Sequence, residues 1–88
     1  MKLRMKIIKH KNSSISLEQI IISEGKHQVR FNIWISTHYR HWIGESVGFV
    51  GEEKITLTPC DTRDEIIGDI EVVAEEYLKK IKGKNKND

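Results

Sequence analysis

The sequence predicts an α+β fold: an antiparallel β-meander of four to five strands, then one long C-terminal amphipathic helix packed on one face of the sheet. Three observations predict it. Apolar and polar residues alternate through the first two-thirds of the 88 residues, which is the period of a half-buried strand. Short stretches containing Gly, Asn or Ser punctuate that alternation. The last third changes to the i, i+3, i+4, i+7 spacing of a helix stripe.

The first strand is read in "KLRMKIIK", with Leu3, Met5 and Ile7 on one face and Lys2, Arg4 and Lys6 on the other. "KNSS" (residues 11–14) follows as a turn. In "ISLEQIIIS", Ile15, Leu17 and Ile21 are in phase and Gln19 is the exception. The strongest strand is "HQVRFNIWIS". It places Val29, Phe31, Ile33 and Ile35 on one face and Gln28, Arg30, Asn32 and Trp34 on the other, with the β-branched content of a strand. A one-residue slip of register turns a whole strand over. A hairpin loop with an odd residue count, Gly25 supplying a positive φ, keeps the two odd-numbered sets together. An even loop sets Ser16 and Glu18 against Ile35 and Ile33, so the odd loop is expected.

The same reasoning applies to "VGFV" and "KITL" around "GEE". A three-residue loop places Val47 and Phe49 with Ile55 and Leu57, whereas a two-residue Gly51-Glu52 turn places Phe49 with Lys54 and Thr56. The odd loop gives the better core.

The helix is read from Ile66, Ile67, Ile70, Val73, Ala74, Tyr77, Leu78 and Ile81. "TRDE" (Thr62 to Glu65) is a capping box, and "TPCD", with Pro59 at its first helical position, is a rival start one turn earlier. Acids in the first turns and lysines in the last match the helix dipole. Gly83 is the expected stop, and Gly68 is expected to permit close packing. The chain therefore reads as one domain over residues 1–82 and a basic flexible tail over 83–88. One stripe covers one sheet face, which leaves the other for solvent or a ligand.

Composition narrows the function classes. Hydrophobic residues make up 38% and charged residues 32% of the chain, too apolar for disorder and without a run that could span a membrane as a helix. The basic start "MKLRMKIIKHK" lacks the apolar stretch of a signal peptide. The lone Cys60 forms no internal disulfide, so a cytoplasmic protein is expected. The net charge of +2 hides segregation: residues 1–11 carry five Lys/Arg and no acid, and residues 61–76 carry seven acids and one base.

Chemistry is sparsely signalled. His38 and His41 in "HYRH" are a pair, whereas zinc takes four ligands, or three plus water. Cys60 near the helix start is where backbone donors favour a thiolate. No phosphate-binding glycine loop, nucleophile elbow or acid–base pair is present. The expectation is a non-enzymatic protein without metal or cofactor.

Binding is the richer signal. Of the six aromatic residues, Phe31, Trp34, Tyr39, Trp42 and Phe49 fall within nineteen residues. Arg30, Asn32 and Trp34 occupy the helix-free side of their strand and run on into His38, Tyr39, Arg40, His41 and Trp42. Single-stranded nucleic acid is held by rings that stack bases and by cations that follow phosphates, and this stretch interleaves both. Lys2, Arg4 and Lys6 extend the basic surface. The competing reading covers Trp34 with Ile20 and Ile22 or with a second subunit, and leaves Tyr39 and Trp42 to plug the sheet's end. The same patch then serves as a dimerisation surface, or as a protein hot spot in a virus- or plasmid-type inhibitor of a host protein, since Trp, Tyr and Arg are enriched in such surfaces too.

The run "VRFNIWIS…GFVGEEKITLTP" and the closing helix resemble the C-terminal domain of the positive-cofactor-four type transcriptional coactivators. The resemblance spans residues 16–82, and its specific part is "EKITLTP", where Lys54, Ile55, Leu57 and Thr58 correspond. It implies a four-stranded meander, dimerisation through the helix and single-stranded DNA bound on the sheet, with Arg30, Trp34 and Lys54 as contacts. The sequence departs from that pattern in three places. The glycine after the lysine is missing, "CDTRD" replaces a Glu-Gln-Trp, and the connection "THYRHWIGESV" is long.

Overall fold

The computed structural model describes residues 3–11 and 16–86, with side chains for 3–10 and 16–81. Lys2, Ile15 and residues 12–14 of the turn expected over 11–14 lie outside the described residues, and Lys11 is in a strand. Among the described residues four strands, β1 (Arg4–Lys11), β2 (Ser16–Glu24), β3 (His27–Ile35) and β4 (Trp42–Ser46), precede one helix, α1 (Arg63–Lys86). The strands form one antiparallel sheet in the order β1-β2-β3-β4. The meander-plus-helix architecture is the one the periodicities predict.

β3 faces as expected: Val29, Phe31 and Ile33 are buried beneath α1, and only Ile35 at the strand's end is exposed. β2 is turned over relative to expectation. Glu24 pairs with His27, so the loop has two residues, and the register sets Glu18 opposite Ile33, Ile20 opposite Phe31 and Ile22 opposite Val29. Ile20 and Ile22 enter the core, while Leu17 and Ile21 go to the helix-free face. Two causes overturn the odd loop. Gly25 at φ 59°, followed by a residue that is not left-handed, is the Gly-X loop of a type II′ turn, whose twist matches the strands. Glu18, the residue that argued against this register, is satisfied on the core face by Arg63 of α1. Arg63 Nε donates to Oε2 at 2.9 Å and Nη2 to Oε1 at 2.7 Å.

The fourth strand also departs from expectation. It forms from "WIGES", inside the segment read as a connection, rather than from "VGFV". Residues 53–60 run beside it irregularly, through hydrogen bonds from Ser46 N–H to the Ile55 carbonyl and from Leu57 N–H to the Gly44 carbonyl. The bridges Glu45–Thr56 and Trp42–Cys60 set three steps on one side against four on the other. The extra residue makes a bulge at the stretch holding Pro59, which has no N–H to donate. The buried Ser46 hydroxyl donates to the Gly48 carbonyl at 2.7 Å and accepts the Ile55 N–H at 2.9 Å, which ends regular pairing. The chain then turns at Gly48 (φ 76°) and again at Gly51 (φ 70°), with Val50 and Glu53 bridging a two-residue turn. Val50 is the residue that enters the core. Val47 and Phe49, expected there, are exposed.

α1 begins after Thr62, which caps it with one half of the expected capping box. Glu65 N–H donates to Thr62 Oγ1 at 3.2 Å, and that hydroxyl donates to the Glu65 carboxylate at 3.0 Å, so the start at "TPCD" is not used. Ile66, Ile67, Ile70, Ala74 and Leu78 are buried, with Val73 and Tyr77 half-buried against them. The helix continues through Gly83 to Lys86; a single glycine costs a helix only about 1 kcal/mol against alanine. Gly68 does not permit close packing as expected, because it faces outward and an added Cβ would meet nothing within 4 Å. Gly68→Ala should therefore raise unfolding stability by roughly 0.5–1 kcal/mol, read as a higher urea midpoint at unchanged slope.

Candidate nucleic-acid interface

α1 packs on β2, β3 and β4 from one side, and among the described residues no element packs on the other. The register builds that open face. Arg30 lies opposite Ile21, which lies opposite Lys6; Gln28 lies opposite Ser23, which lies opposite Arg4. Asn32 sits between Gln19 and Glu45, and Trp34 is paired with Ile43. Arg4, Lys6 and Arg30 thus form a cationic end, and the half-buried Trp34 a ring platform about four residues along, roughly 13 Å at strand rise. Ile20 and Ile22 do not cover Trp34, because both are buried in the core; Ile43 lies opposite it on that face.

Five of the expected residues are therefore brought together: Arg4, Lys6, Arg30, Asn32 and Trp34. Arg30 is exposed, and its Nε donates to Gln28 Oε1 at 2.7 Å, which holds the guanidinium along the strand. Asn32 presents less than the spacing suggested, since its Oδ1 is buried without a hydrogen-bond partner. Lys54 is tied to Glu45, 3.6 Å from its carboxylate, so its charge is partly neutralised locally.

The aromatic connection is split. His38, Tyr39 and Arg40 are exposed at the tip of the β3–β4 hairpin, with the His38 and Tyr39 rings tilted at 6.3 Å between centroids. Arg40 holds φ 55°, a conformation that costs a residue with a Cβ roughly 1–2 kcal/mol. Its N–H closes the tip on the Ser36 carbonyl at 2.9 Å. Trp42 is removed from the site. It faces the helix side, half-buried against the core, because it shares β4's parity with the buried Gly44 and Ser46.

Phe49 is the residue that sequence reasoning missed. It is 75% exposed and lines a cleft with Arg30, Gln28, Val47 and Tyr77. The signal available was its bracketing by Gly48 and Gly51, which marks a loop better than a strand.

The remaining chemistry is quiet. Cys60 lies before the helix, and its thiol donates to Asp69 Oδ2 at 3.3 Å. Burial first, and then that carboxylate, push the thiol up to about 11, so the site disfavours the thiolate that a helix start was expected to favour. His41 Nδ1 lies 3.1 Å from Asp61 Oδ1. Among the described residues no three His, Cys, Asp or Glu side chains group to hold a metal ion, and no helix is long and apolar enough to cross a membrane. No family model, curated protein or solved structure matches the chain.

Proposed function

We propose that this protein binds nucleic acid, single-stranded by preference, on the helix-free face of its sheet and without performing chemistry. The observation that carries the reading is the open row arrangement of Arg4, Lys6 and Arg30 with Trp34 on one uncovered face. Flexible single strands offer unpaired bases to a ring and phosphates to cations at once; a duplex hides its bases from such a ring. The resemblance to positive-cofactor-four type domains points to the same face and adds a homodimer to the reading; the lone Cys60 adds a cytoplasmic location.

A second reading is favoured by a different observation. α1 leaves β1 uncovered, with Met5 and Ile7 exposed on the core side of that edge strand. An open edge beside apolar side chains suits a protein partner that adds a strand.

Anisotropy titrations of labelled single- and double-stranded oligonucleotides at two salt concentrations separate the two. On the first reading the single strand binds more tightly, and three phosphate contacts give a log–log salt slope of about −2. Trp34→Ala should weaken binding by about 1–3 kcal/mol, the worth of one stacked base. Absence of binding at low salt, or unchanged affinity in a folded Trp34→Ala variant, sinks the nucleic-acid reading.

A further inference from the structure

We infer that the cleft walled by Phe49 and Arg30 is a second base-stacking subsite, which receives a base of the same single strand that Trp34 stacks; this rests on the nucleic-acid reading above.

The cleft exists because β4 stops early. Ser46 is the last residue paired with β3, opposite Phe31. Beyond it the Val47 N–H reaches β3 at the Arg30 carbonyl, 2.9 Å away. The gap that remains is lined by Gln28, Val29, Arg30, Val47, Phe49, Val50 and Tyr77 and encloses about 200 Å³. That is below the roughly 300–1,000 Å³ of sites for drug-sized ligands, so it takes one planar ring rather than a whole cofactor.

Three features select a nucleotide over an apolar side chain. The lining sets the aromatic residues Phe49 and Tyr77 beside Arg30 and Gln28, and a base on a phosphodiester matches both rings and cation. Arg30 belongs to the cleft and to the open face, where Lys6 lies in the same row across β2 and Arg4 in the next; Glu52, Glu53 and Glu76 gather on the other flank, beyond Val50 and Tyr77, so the approach is cationic from the open face. Phe49 is held out by the chain's own geometry: Gly48 at φ 76° and Gly51 at φ 70° let Val50 turn inward while its neighbour stays in solvent. Arg30 and Trp34 are four residues apart on β3, roughly 13 Å. A strand that runs from Trp34 to the cleft therefore crosses Asn32 and meets Arg30 on the way.

The test compares wild type, Phe49→Ala, Phe49→Trp and Trp34→Ala for binding to labelled oligothymidylate of eight nucleotides at low salt, with circular dichroism as the fold control. Phe49→Ala should lose roughly 5- to 150-fold in affinity, and Phe49→Trp should retain or exceed wild-type affinity, because the larger ring stacks as well. Wild-type affinity in Phe49→Ala overturns the subsite. If Trp34→Ala is then still weakened, the face reading survives without it; if wild type itself fails to bind, both fall. Equal loss in Phe49→Ala and Phe49→Trp also overturns it, since stacking tolerates the exchange of rings.

Discussion

Arg63→Ala is expected to destabilise the fold by about 2–3 kcal/mol and to reverse the pH dependence of its stability in mild acid. Glu18 stands on the core face of β2 at 8% exposure, and the Arg63 guanidinium grips both of its oxygens. Bidentate, charge-assisted bonds of this kind are the strong ones. Removing the arginine strands a carboxylate among Ile20, Ile33 and α1. The loss falls below the full cost of an orphaned buried charge because the Arg63 side chain is itself about a third exposed, so water reaches the vacated space. The bond from Arg63 holds the Glu18 carboxyl below its ordinary value of 4.5, against burial, with the Arg63 and Lys9 charges assisting. A depressed folded value means that the unfolded chain binds more protons. The pair's stabilisation is therefore full above pH 4.5 and is lost as pH falls through the folded value. In Arg63→Ala burial acts nearly alone and raises Glu18, so that variant should gain stability relative to wild type as pH falls from 7 to 4. Urea midpoints across that range read the sign directly. The double variant Glu18→Leu with Arg63→Met should recover to within about 1 kcal/mol of wild type, because an apolar pair replaces a buried ion pair without a desolvation cost. A wild-type-like pH profile in Arg63→Ala means that the pair does not hold the β2 register.

That pair also explains where the sequence stopped being legible. Element types, β3's facing, the helix stripe and the Thr62–Glu65 cap are local patterns, and local patterns survive reading along a chain. The β2 register is not local. Glu18 looks misplaced on a core face until its partner is known, and that partner lies 45 residues away. A competing local signal, Gly25-Lys26 as a two-residue type II′ loop, is present in the sequence, but the apparent burial of a charge argues against it. The same limit applies to β4. "WIGES" lacks clean alternation because Gly44 and Ser46 occupy its core-facing positions; the smallness of Gly44 is explained only by Leu57 and Ile66 lying against it, and Ser46 by its bonds to Gly48 and Ile55. The candidate site inherits both effects. Arg30, Asn32 and Trp34 were legible from β3 alone, whereas their alignment with Lys6 and Arg4 needed the register of two hairpins. Trp42 and Phe49 exchanged roles because β4's true position reverses both: the ring assigned to binding packs on the core, and the ring assigned to the core is in solvent.

Gly44→Val is expected to cost about 3 kcal/mol, at the top of the usual range for overpacking, against a background that favours the substitution. Valine is a better strand former than glycine on a scale that spans about 1 kcal/mol, and losing glycine's freedom in the unfolded chain adds roughly 0.4–1 kcal/mol. Packing decides the sign. A Cβ at Gly44 would lie 3.0 Å from Leu57 Cδ1, 3.2 Å from Ile66 Cγ1 and 3.4 Å from Ile33 Cγ2. Leu57 Cδ1 is the end of a flexible side chain and can turn aside. The other two atoms belong to β-branched side chains, stiff at χ1, and both residues are completely buried. Alanine brings that Cβ and nothing more, so it meets all three atoms but asks each to give by only a few tenths of an ångström; Gly44→Ala should come out near neutral or up to about 1 kcal/mol destabilising once the gains above are set against it. Valine adds two more methyl groups where α1 already touches the sheet, and relief requires the helix to move away from β4. Such a movement would also weaken the Leu57 N–H bond to the Gly44 carbonyl, 2.9 Å, which holds the irregular strand in place. Hydrogen exchange at the Leu57 amide should accordingly rise more in Gly44→Val than global destabilisation alone accounts for. Gly68→Ala, a glycine change of opposite sign on the outer face of α1, is the control that separates packing from propensity. A Gly44→Val protein as stable as wild type, with Leu57 still protected, would mean that α1 does not sit against β4 at this distance.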